Sequence, residues 1–396
     1  MAHASGVAAP EKLGVDTFQW WFDNRHEYAR EWKERTGRKV VGAFCTYVPE
    51  EIVYAADMIT VRVLGGHEPQ DVTEPYIFGM YCPFCRDSLA QGLKGRYDYL
   101  DGIVLAHSCI HFRQTYDCWK LHVGAPFDYY IPMPNQVQSP HARGFLRDEL
   151  VKFKVFMEDQ IGHELTDADL DRGIAAVNEN RRLLRQMYEY RKRPNPPVTG
   201  LECMYMAITA QFIDKEEHNA ALRAAIAEIE AGRDLGRGGS IRLMTVGSEN
   251  DDPDFLAMSE ALGATIVIDD QCAGSRSFWN ELVPQDDRLQ AIADRYVDRP
   301  ACPTKDYPVR TRFPHVLGLA KEWGVQGAII IQQKFCDPHE GDMKPLREYL
   351  ESNGIPTVSL EFDATNPIGP FRIRVEAFLE TLRTEDLFGD DDDELF

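Results

Sequence analysis

Short apolar runs and helical patterns alternate in two separate parts of the chain. Each apolar run predicts a buried strand, and the segments between the runs have the spacing of amphipathic helices. Strands that alternate with helices are typical of parallel α/β layers. The predicted strands are Lys39–Phe44, Ile59–Leu64, Gly102–Ala106, Tyr129–Pro132, Ile241–Val246, Thr265–Ile268, Gly327–Ile331 and Thr357–Glu361.

The same patterning predicts an α/β fold with two Rossmann-like parallel-sheet domains, an N-terminal helix and a helical connecting segment. The connecting segment ends in a glycine-rich linker before the second set of strands. The predicted parts are an N-terminal helical segment (1–38), a first Rossmann-like domain (39–140), a helical connecting region (141–239), a second Rossmann-like domain (240–384) and an acidic disordered tail (385–396).

Charge and hydropathy narrow the class of protein. The chain has 396 residues and a formal net charge of −21, which argues against a nucleic-acid partner because binding phosphates needs a basic face. No apolar run approaches the roughly 20 residues of a membrane helix, and the charge gives no support to binding at anionic membranes. The N-terminus lacks the basic and apolar segments of a secretory signal. We therefore expect a cytoplasmic protein that binds neither nucleic acid nor membrane.

The chain contains nine cysteines. Disulfides are rare in cytoplasmic proteins, so these thiols are expected to have another role. Four of them, Cys45, Cys109, Cys272 and Cys336, come just after predicted strands. Ligands of open parallel sheets bind beyond the carboxyl ends of the strands. Two similar sheets that face each other would therefore bring these cysteines into one cleft.

A CPFC motif at Cys82 and Cys85 adds two more thiols. A CxxC pair alone is also found in thioredoxin-like redox proteins. A zinc site of four thiolates would need a second CxxC, and a ferredoxin would need a run of closely spaced cysteines; the sequence has neither. The remaining possibility is a site assembled from distant segments of the chain. Thiolates in such a site suit iron–sulfur clusters and zinc. Buried cysteines without a ligand are the alternative.

Six blocks of the sequence together resemble the benzoyl-CoA reductase / 2-hydroxyacyl-CoA dehydratase family, in family order and over nearly the whole chain. They are GAFCTYVPEEIVYAADMITVRVLGG (Gly42–Gly66), EPYIFGMYCPFCRDSL (Glu74–Leu89), LDGIVLAHSCIHFRQTYD (Leu100–Asp117), IDDQCAGSR (Ile268–Arg276), QKFCDPHEGD (Gln333–Asp342) and SLEFDATNPIGPFRIRVEAFLE (Ser359–Glu380).

The resemblance implies a [4Fe–4S] cluster held by three cysteines, which by motif position are Cys82, Cys109 and Cys336, with an open or non-cysteine fourth site. Cys85 is the alternative to Cys82. Cys45 and Cys272 are interpreted as either pocket or structural residues. The cysteines interpreted as packing residues are Cys118, Cys203 and Cys302.

Other side chains near these motifs are candidates for catalysis and binding. Glu51 and His111 are predicted as catalytic, and Cys45, Glu50 and Arg372 as substrate-binding. Each has a plainer alternative. The two glutamates would stabilise a helix N-terminus, and His111 would support the cluster sulfurs. The arginine would pair with a glutamate of its own helix.

The resemblance also implies partners and a reaction. Family members reduce an aromatic acyl-CoA ring or dehydrate a 2-hydroxyacyl-CoA. Each is implied to work beside a homologous second cluster-binding subunit and a separate ATP-hydrolysing iron–sulfur protein. This chain has no G-x-x-x-x-G-K-[ST] phosphate loop, so the ATPase is expected on another polypeptide. The block TNPIGPFRIRVEAFLE is closer to the reductase form, which favours benzoyl-CoA reduction. A dehydratase subunit, a non-catalytic electron relay and a zinc-stapled binding protein are the alternatives.

Overall fold

The structure, a computed structural model, describes residues 10–366 and 368–388. The strands are β1 Val40–Ala43, β2 Ile59–Arg62, β3 Gly102–Ala106, β4 Phe127–Ile131, β5 Ile241–Gly247, β6 Ala264–Asp270, β7 Gly327–Gln333 and β8 Thr357–Phe362. The helices are α1 Asp16–Asp23, α2 Arg25–Thr36, α3 Glu50–Ala55, α4 Pro83–Leu93, α5 Ile110–His122, α6 Ala142–Ile161, α7 Asp167–Glu189, α8 Gly200–Thr209, α9 Lys215–Glu230, α10 Pro253–Ala261, α11 Ser275–Phe278, α12 Arg288–Asp298, α13 Arg312–Glu322, α14 Asp337–Glu351 and α15 Ile368–Phe388.

The strands form two four-stranded, all-parallel sheets with the same strand order. One sheet runs β2-β1-β3-β4 and the other runs β6-β5-β7-β8. Their central strands are aliphatic and buried on both faces, as parallel strands covered by helices must be. The predicted α/β class with two parallel sheets is therefore confirmed.

The strand order fixes where ligands can bind. In each sheet the second strand lies on one side of the first strand, and the third and fourth strands lie on its other side. The strand order therefore reverses between β1 and β3, and again between β5 and β7. A crevice opens at such a switch point, outside the carboxyl ends of the strands. Cys45 follows β1, Cys109 follows β3, and Cys336 follows β7. The topology thus directs three thiols to the two crevices.

Helices outside the sheets join the two halves of the molecule, which are the half around the first sheet (β1–β4) and the half around the second sheet (β5–β8). Arg143 of α6 forms ion pairs with Asp294 and Asp298 of α12, at 3.1 and 2.5 Å. Arg181 of α7 forms a buried ion pair with Glu51 of α3, at 2.6 Å. The connecting helices therefore touch elements of both sheets and fix the crevices relative to each other.

Two sequence predictions need correction. The single helix predicted in the N-terminal segment 1–38 is two helices, because Asn24 leaves the helical conformation and its side-chain amide donates to the Trp20 carbonyl at 2.8 Å. Asparagine competes for backbone bonds in this way. The last helix reaches Phe388, four residues into the predicted disordered tail, while 389–396 lie outside the described residues. The division into domains stays a prediction. Over the ranges that the structure covers, no helix has both the length and the apolar character to cross a bilayer.

Candidate cysteine-rich cofactor site

A cavity with about 740 Å³ of space free of protein atoms lies at the carboxyl ends of both sheets. Its walls come from loops that follow β1, β3, β5, β6 and β7, and from the loop between α12 and α13. The cysteines that line it are Cys45, Cys82, Cys85, Cys109, Cys272, Cys302 and Cys336. Most of the chain's thiols thus meet in one place, although they come from distant parts of the sequence.

Cys82, Cys109 and Cys336, which we call the first triad, share one structural feature. Each is the residue that immediately precedes a helix, namely α4, α5 and α14. The first backbone N–H groups of a helix are unpaired and favour negative charge. At Cys109 this is seen directly, because Sγ accepts a hydrogen bond from the Phe112 N–H at 3.5 Å. Such positions favour the thiolate form that binds metals.

The sulfur atoms of this region also act on one another. A hydrogen bond from Cys336, and a second from Cys85, hold the pKa of Cys82 well below its ordinary value. A hydrogen bond from Cys85 lowers the pKa of Cys109 to about 7. Contact with Cys82 and burial raise the pKa of Cys336, and burial raises that of Cys85. The pKa values of Cys82 and Cys109 are therefore lowered and those of Cys85 and Cys336 raised within one group of four neighbouring sulfurs.

The donor set consists of thiols, which suit iron–sulfur clusters and zinc. In a zinc site every ligand lies within about 2.3 Å of one point. Among the residues that the structure describes, no group of His, Cys, Asp or Glu side chains is arranged to hold a metal ion. The thiolates of an iron–sulfur cluster each bind a different iron, so they need to surround a space rather than meet at a point. The cysteine-lined cavity meets that requirement.

Buried arginines make the cavity an environment for anions. Arg62, Arg276 and Arg299 line it and are all less than 5% exposed. Arg62 Nε and Nη1, Arg276 Nη1 and Arg299 Nε have no hydrogen-bond partner. The carboxylate in the described lining is Glu249, and burial raises its pKa. Buried donors without partners cost about 1–3 kcal/mol each and more when charged, so a negatively charged occupant would relieve them.

His111 lines the cavity at the boundary between the two halves. Its Nδ1 accepts a hydrogen bond from the Cys82 N–H at 3.1 Å, and its Nε2 lies 3.4 Å from an Asp337 carboxylate oxygen. Burial alone would lower the pKa of His111, but the contacts with Cys82, Cys109 and Asp337 outweigh burial and raise it. The geometry is that of a residue that positions the Cys82 loop. A catalytic role for His111 stays a prediction.

The structure does not bring the two predicted glutamates to the cavity. Glu51 is a fully buried residue of α3. Its carboxylate pairs with Arg181 and accepts a hydrogen bond from the Tyr296 hydroxyl at 3.1 Å. Glu50 accepts from Lys215 at 2.9 Å and lines a neighbouring cavity of about 510 Å³. Neither glutamate lines the cysteine-rich cavity. Their roles in catalysis and substrate binding stay predictions.

Arg372 lies exposed on α15 and pairs with Glu376 at 3.1 Å. This ion pair within one helix is the plainer alternative predicted for Arg372 from the sequence. Arg372 does not line the cysteine-rich cavity. A contact between Arg372 and substrate stays a prediction.

The remaining cysteines divide into two groups. Cys118 and Cys203 are buried away from the cavity, and the Cys118 thiol donates to the Tyr76 carbonyl at 3.3 Å. Cys45 and Cys272 line the cavity. Cys302 lines it as well and also packs against the hydrophobic core, so its interpretation as a packing residue stays a prediction. It lies in a loop that follows a helix, and strand-end reasoning could not have found it.

The fold and this site define a class: an α/β protein of two parallel sheets whose facing ends enclose a cysteine-lined cavity. A family model, "2-hydroxyglutaryl-CoA dehydratase, D-component", matches residues 45–382. The chain belongs to this family.

Three relatives agree with that assignment. The chain is 27% identical to the (R)-phenyllactyl-CoA dehydratase beta subunit of Clostridium sporogenes, over 91% of this chain and 96% of the relative. It is 30% identical to the (R)-2-hydroxyglutaryl-CoA dehydratase beta subunit of Acidaminococcus fermentans, over 87% and 93%. It is 25% identical to one of the benzoyl-CoA reductase subunits of Thauera aromatica, over 90% and 94%. The family thus includes dehydratase subunits and a benzoyl-CoA reductase subunit.

Proposed function

We propose that the chain is the iron–sulfur subunit of an enzyme complex that passes low-potential electrons to an acyl-CoA thioester. In this proposal Cys82, Cys109 and Cys336 hold a [4Fe–4S] cluster whose fourth site is open or has a non-cysteine ligand. The observation that supports it most directly is that these three thiols, each at the start of a helix, line one cavity at the ends of both sheets. A cluster bound there would supply one-electron redox chemistry.

The chain's own residues prepare the cavity for that chemistry. Helix N-termini stabilise negative charge at the first triad, and Arg62 and Arg276 add buried positive charge. Tyr47, Phe84 and Phe112 form apolar parts of the wall. Exclusion of water from such a site matters because a strongly reducing electron is lost wherever protons reach it freely.

Two reactions are candidates for the acyl-CoA substrate. Reduction of the benzoyl-CoA ring is favoured by the reductase-like block TNPIGPFRIRVEAFLE. Dehydration of a 2-hydroxyacyl-CoA is favoured by the names of the Clostridium sporogenes and Acidaminococcus fermentans relatives. We place ring reduction first and dehydration second. Both need an electron delivered to the thioester carbonyl, which in benzoyl-CoA is conjugated with the aromatic ring.

The proposal includes partner subunits. The three relatives are each named as a subunit of an enzyme. For this chain we propose a homologous second cluster-binding subunit and a separate ATP-hydrolysing iron–sulfur protein. The second of these follows from the missing phosphate-loop motif, because the chain has no sequence of its own to bind ATP in that way.

The complex with its partners, purified without oxygen, tests the proposal. With ATP and a low-potential donor we expect benzoyl-CoA to give a cyclic diene. Formation of an enoyl-CoA from a 2-hydroxyacyl-CoA, without ring reduction, would instead select the second reaction. Cys109→Ser should abolish turnover, whereas Cys118→Ser, a change at a thiol outside the cavity, should not. Full turnover by the Cys109→Ser complex would contradict the proposal.

A further inference from the structure

One carboxyl group of the cysteine-rich cavity has no role in the account so far. Glu249 lines the cavity, is 6% exposed and lies two residues beyond the end of β5. No other Asp or Glu of the described ranges lines this cavity. Two histidines do, His111 and His339, but both belong to helices that begin at proposed cluster ligands. Glu249 is therefore an acidic side chain inside the cavity that is free of that duty.

The backbone around Glu249 is fixed against β7. Gly247 has a φ of +128°, and a Cβ there would lie 2.2 Å from the Ile331 carbonyl oxygen, so this close approach requires glycine. The Ser248 N–H donates to the same carbonyl at 2.8 Å, and its hydroxyl accepts from the Gln333 N–H at 3.1 Å. The Gln333 side-chain amide donates to the Glu249 carbonyl at 3.0 Å. These bonds hold Glu249 in place beside the strand that precedes the third thiol of the first triad.

The carboxyl group of Glu249 lacks the donors that a buried carboxylate needs. Asp306, which is fully buried, accepts from the Thr311 N–H, the Thr311 hydroxyl and the Arg312 N–H, at 2.8, 2.6 and 2.9 Å. By contrast, Glu249 Oε1 has no hydrogen-bond partner. Glu249 Oε2 lies 3.8 Å from Arg62 Nη2, which is too long for a hydrogen bond. A buried carboxyl group with so few donors favours its neutral, protonated form.

The surrounding charges agree with that geometry. Burial is the largest influence on the pKa of Glu249 and raises it above its ordinary value. The groups with a smaller influence are Asp251, which also raises the pKa, and Arg62, Arg276 and Cys272, which lower it. Burial thus outweighs two arginines and favours the acid.

We propose that Glu249, as a protonated acid, delivers a proton to the acyl-CoA bound in the cavity. The inference rests on the proposed function, because the electron that makes the substrate basic comes from the low-potential donor named there. Ring reduction consumes two electrons and two protons. For one of these protons, the O–H bond of Glu249 breaks and a C–H bond forms on the reduced ring. The carboxylate that is left regains a proton from water before the next turnover.

The position of Arg62 suits this cycle. Arg62 belongs to β2 of the first half and Glu249 follows β5 of the second, so the two side chains meet across the cavity. A neutral acid is not repelled by a substrate that has gained an electron. Once the proton has left, the guanidinium at 3.8 Å stabilises the new carboxylate. If the complex dehydrates a 2-hydroxyacyl-CoA instead, the same proton goes to the departing hydroxide, which leaves as water.

Turnover of the Glu249→Gln complex, purified without oxygen, tests the inference. Loss of a positioned proton donor lowers rates by about 10²- to 10⁴-fold, so we expect kcat to fall by that factor while iron content and KM for the acyl-CoA stay the same. Glu249→Asp keeps the acid and should recover part of the rate. Glu260→Gln is the matched control. Glu260 is also 6% exposed and burial raises its pKa, but it lies outside the cavity and accepts from the Gly200 N–H at 2.9 Å.

Infrared spectroscopy of the full-length chain gives a measurement that does not depend on turnover. Near neutral pH, the difference between wild type and Glu249→Gln should contain the C=O stretch of a protonated carboxylic acid, which shifts in heavy water. Absence of this band would overturn the inference, and so would full turnover by the Glu249→Gln complex. A rate that falls only in proportion to lost iron would do the same, because it would make Glu249 a structural residue.

The remaining outcomes separate this inference from the proposed function. If Glu249→Gln fails to fold, Glu249→Asp replaces it, with a displaced C=O band and a lower kcat expected and unchanged values contradicting the inference. A wild-type complex that reacts with neither acyl-CoA would count against the proposed function. The infrared band would still show whether Glu249 is the protonated acid that the inference requires.

Discussion

Glu51 gives the sharpest test of whether a buried charge in this fold serves structure or chemistry. The change Glu51→Gln keeps the shape of the side chain and removes its charge. In the folded protein the carboxylate pairs with Arg181 at 2.6 Å, with side-chain exposures of 0% and 4%. The substitution leaves the guanidinium buried without its counter-charge.

The expected loss of stability is large. Removing one partner of a buried ion pair costs about 3–5 kcal/mol. Arg295 increases the effect, because burial and the nearby Arg181 already lower its pKa to about 9 and Glu51 partly offsets them. The Tyr296 hydroxyl also loses a charged acceptor, although it keeps the Val48 carbonyl at 3.0 Å. The geometry therefore predicts a change near the upper end of that range.

Chemical denaturation measures this loss directly, with wild type and Glu51→Gln compared by the shift in urea midpoint. Asp98→Asn is the control, because Asp98 pairs with Arg30 at the surface, where ion pairs contribute little. A variant with wild-type stability and no catalytic turnover would refute the structural interpretation and restore Glu51 as a catalytic residue.

Three further predictions concern single residues. Cys82→Ser should lose the iron of the first triad whereas Cys85→Ser should keep it, measured by iron analysis; the reverse result would make Cys85 the ligand. Contact with Asp251 at 3.1 Å outweighs burial and raises the pKa of His67 to about 10. This pair's stabilisation should be complete below about pH 6.5 and lost as pH rises through about 10; a His67→Gln variant that unfolds with the same alkaline dependence as wild type would disprove this. Arg276→Gln should weaken cluster retention in the cysteine-rich cavity, seen as faster iron loss to a chelator, and unchanged loss would show that its charge is not needed.

Much of the fold could be predicted from the sequence, because central strands such as β3 and β7 contain uninterrupted apolar runs. The placement of Cys109 and Cys336 followed from the same pattern, since both come right after such a run. Arg62 was visible as a charged residue inside the predicted strand Ile59–Leu64, and its burial without full pairing marks the cavity.

Other parts of the site depend on packing between distant segments. Cys302 follows α12, and hydrogen bonds from Arg299, Lys305 and its own backbone N–H to the first sheet's side of the molecule hold it at the cavity. Glu51 shows the opposite case. Its position at a helix start suggested a pocket, but the packing of α7 on α3 turns it toward Arg181. Local patterns do not contain information of this kind.

An anaerobic crystal structure with diffraction data at the iron absorption edge would show which side chains bind iron. We expect anomalous density from iron within bonding distance of the Cys82, Cys109 and Cys336 sulfur atoms. Density at the zinc edge instead, or iron bound away from these three thiols, would contradict this expectation.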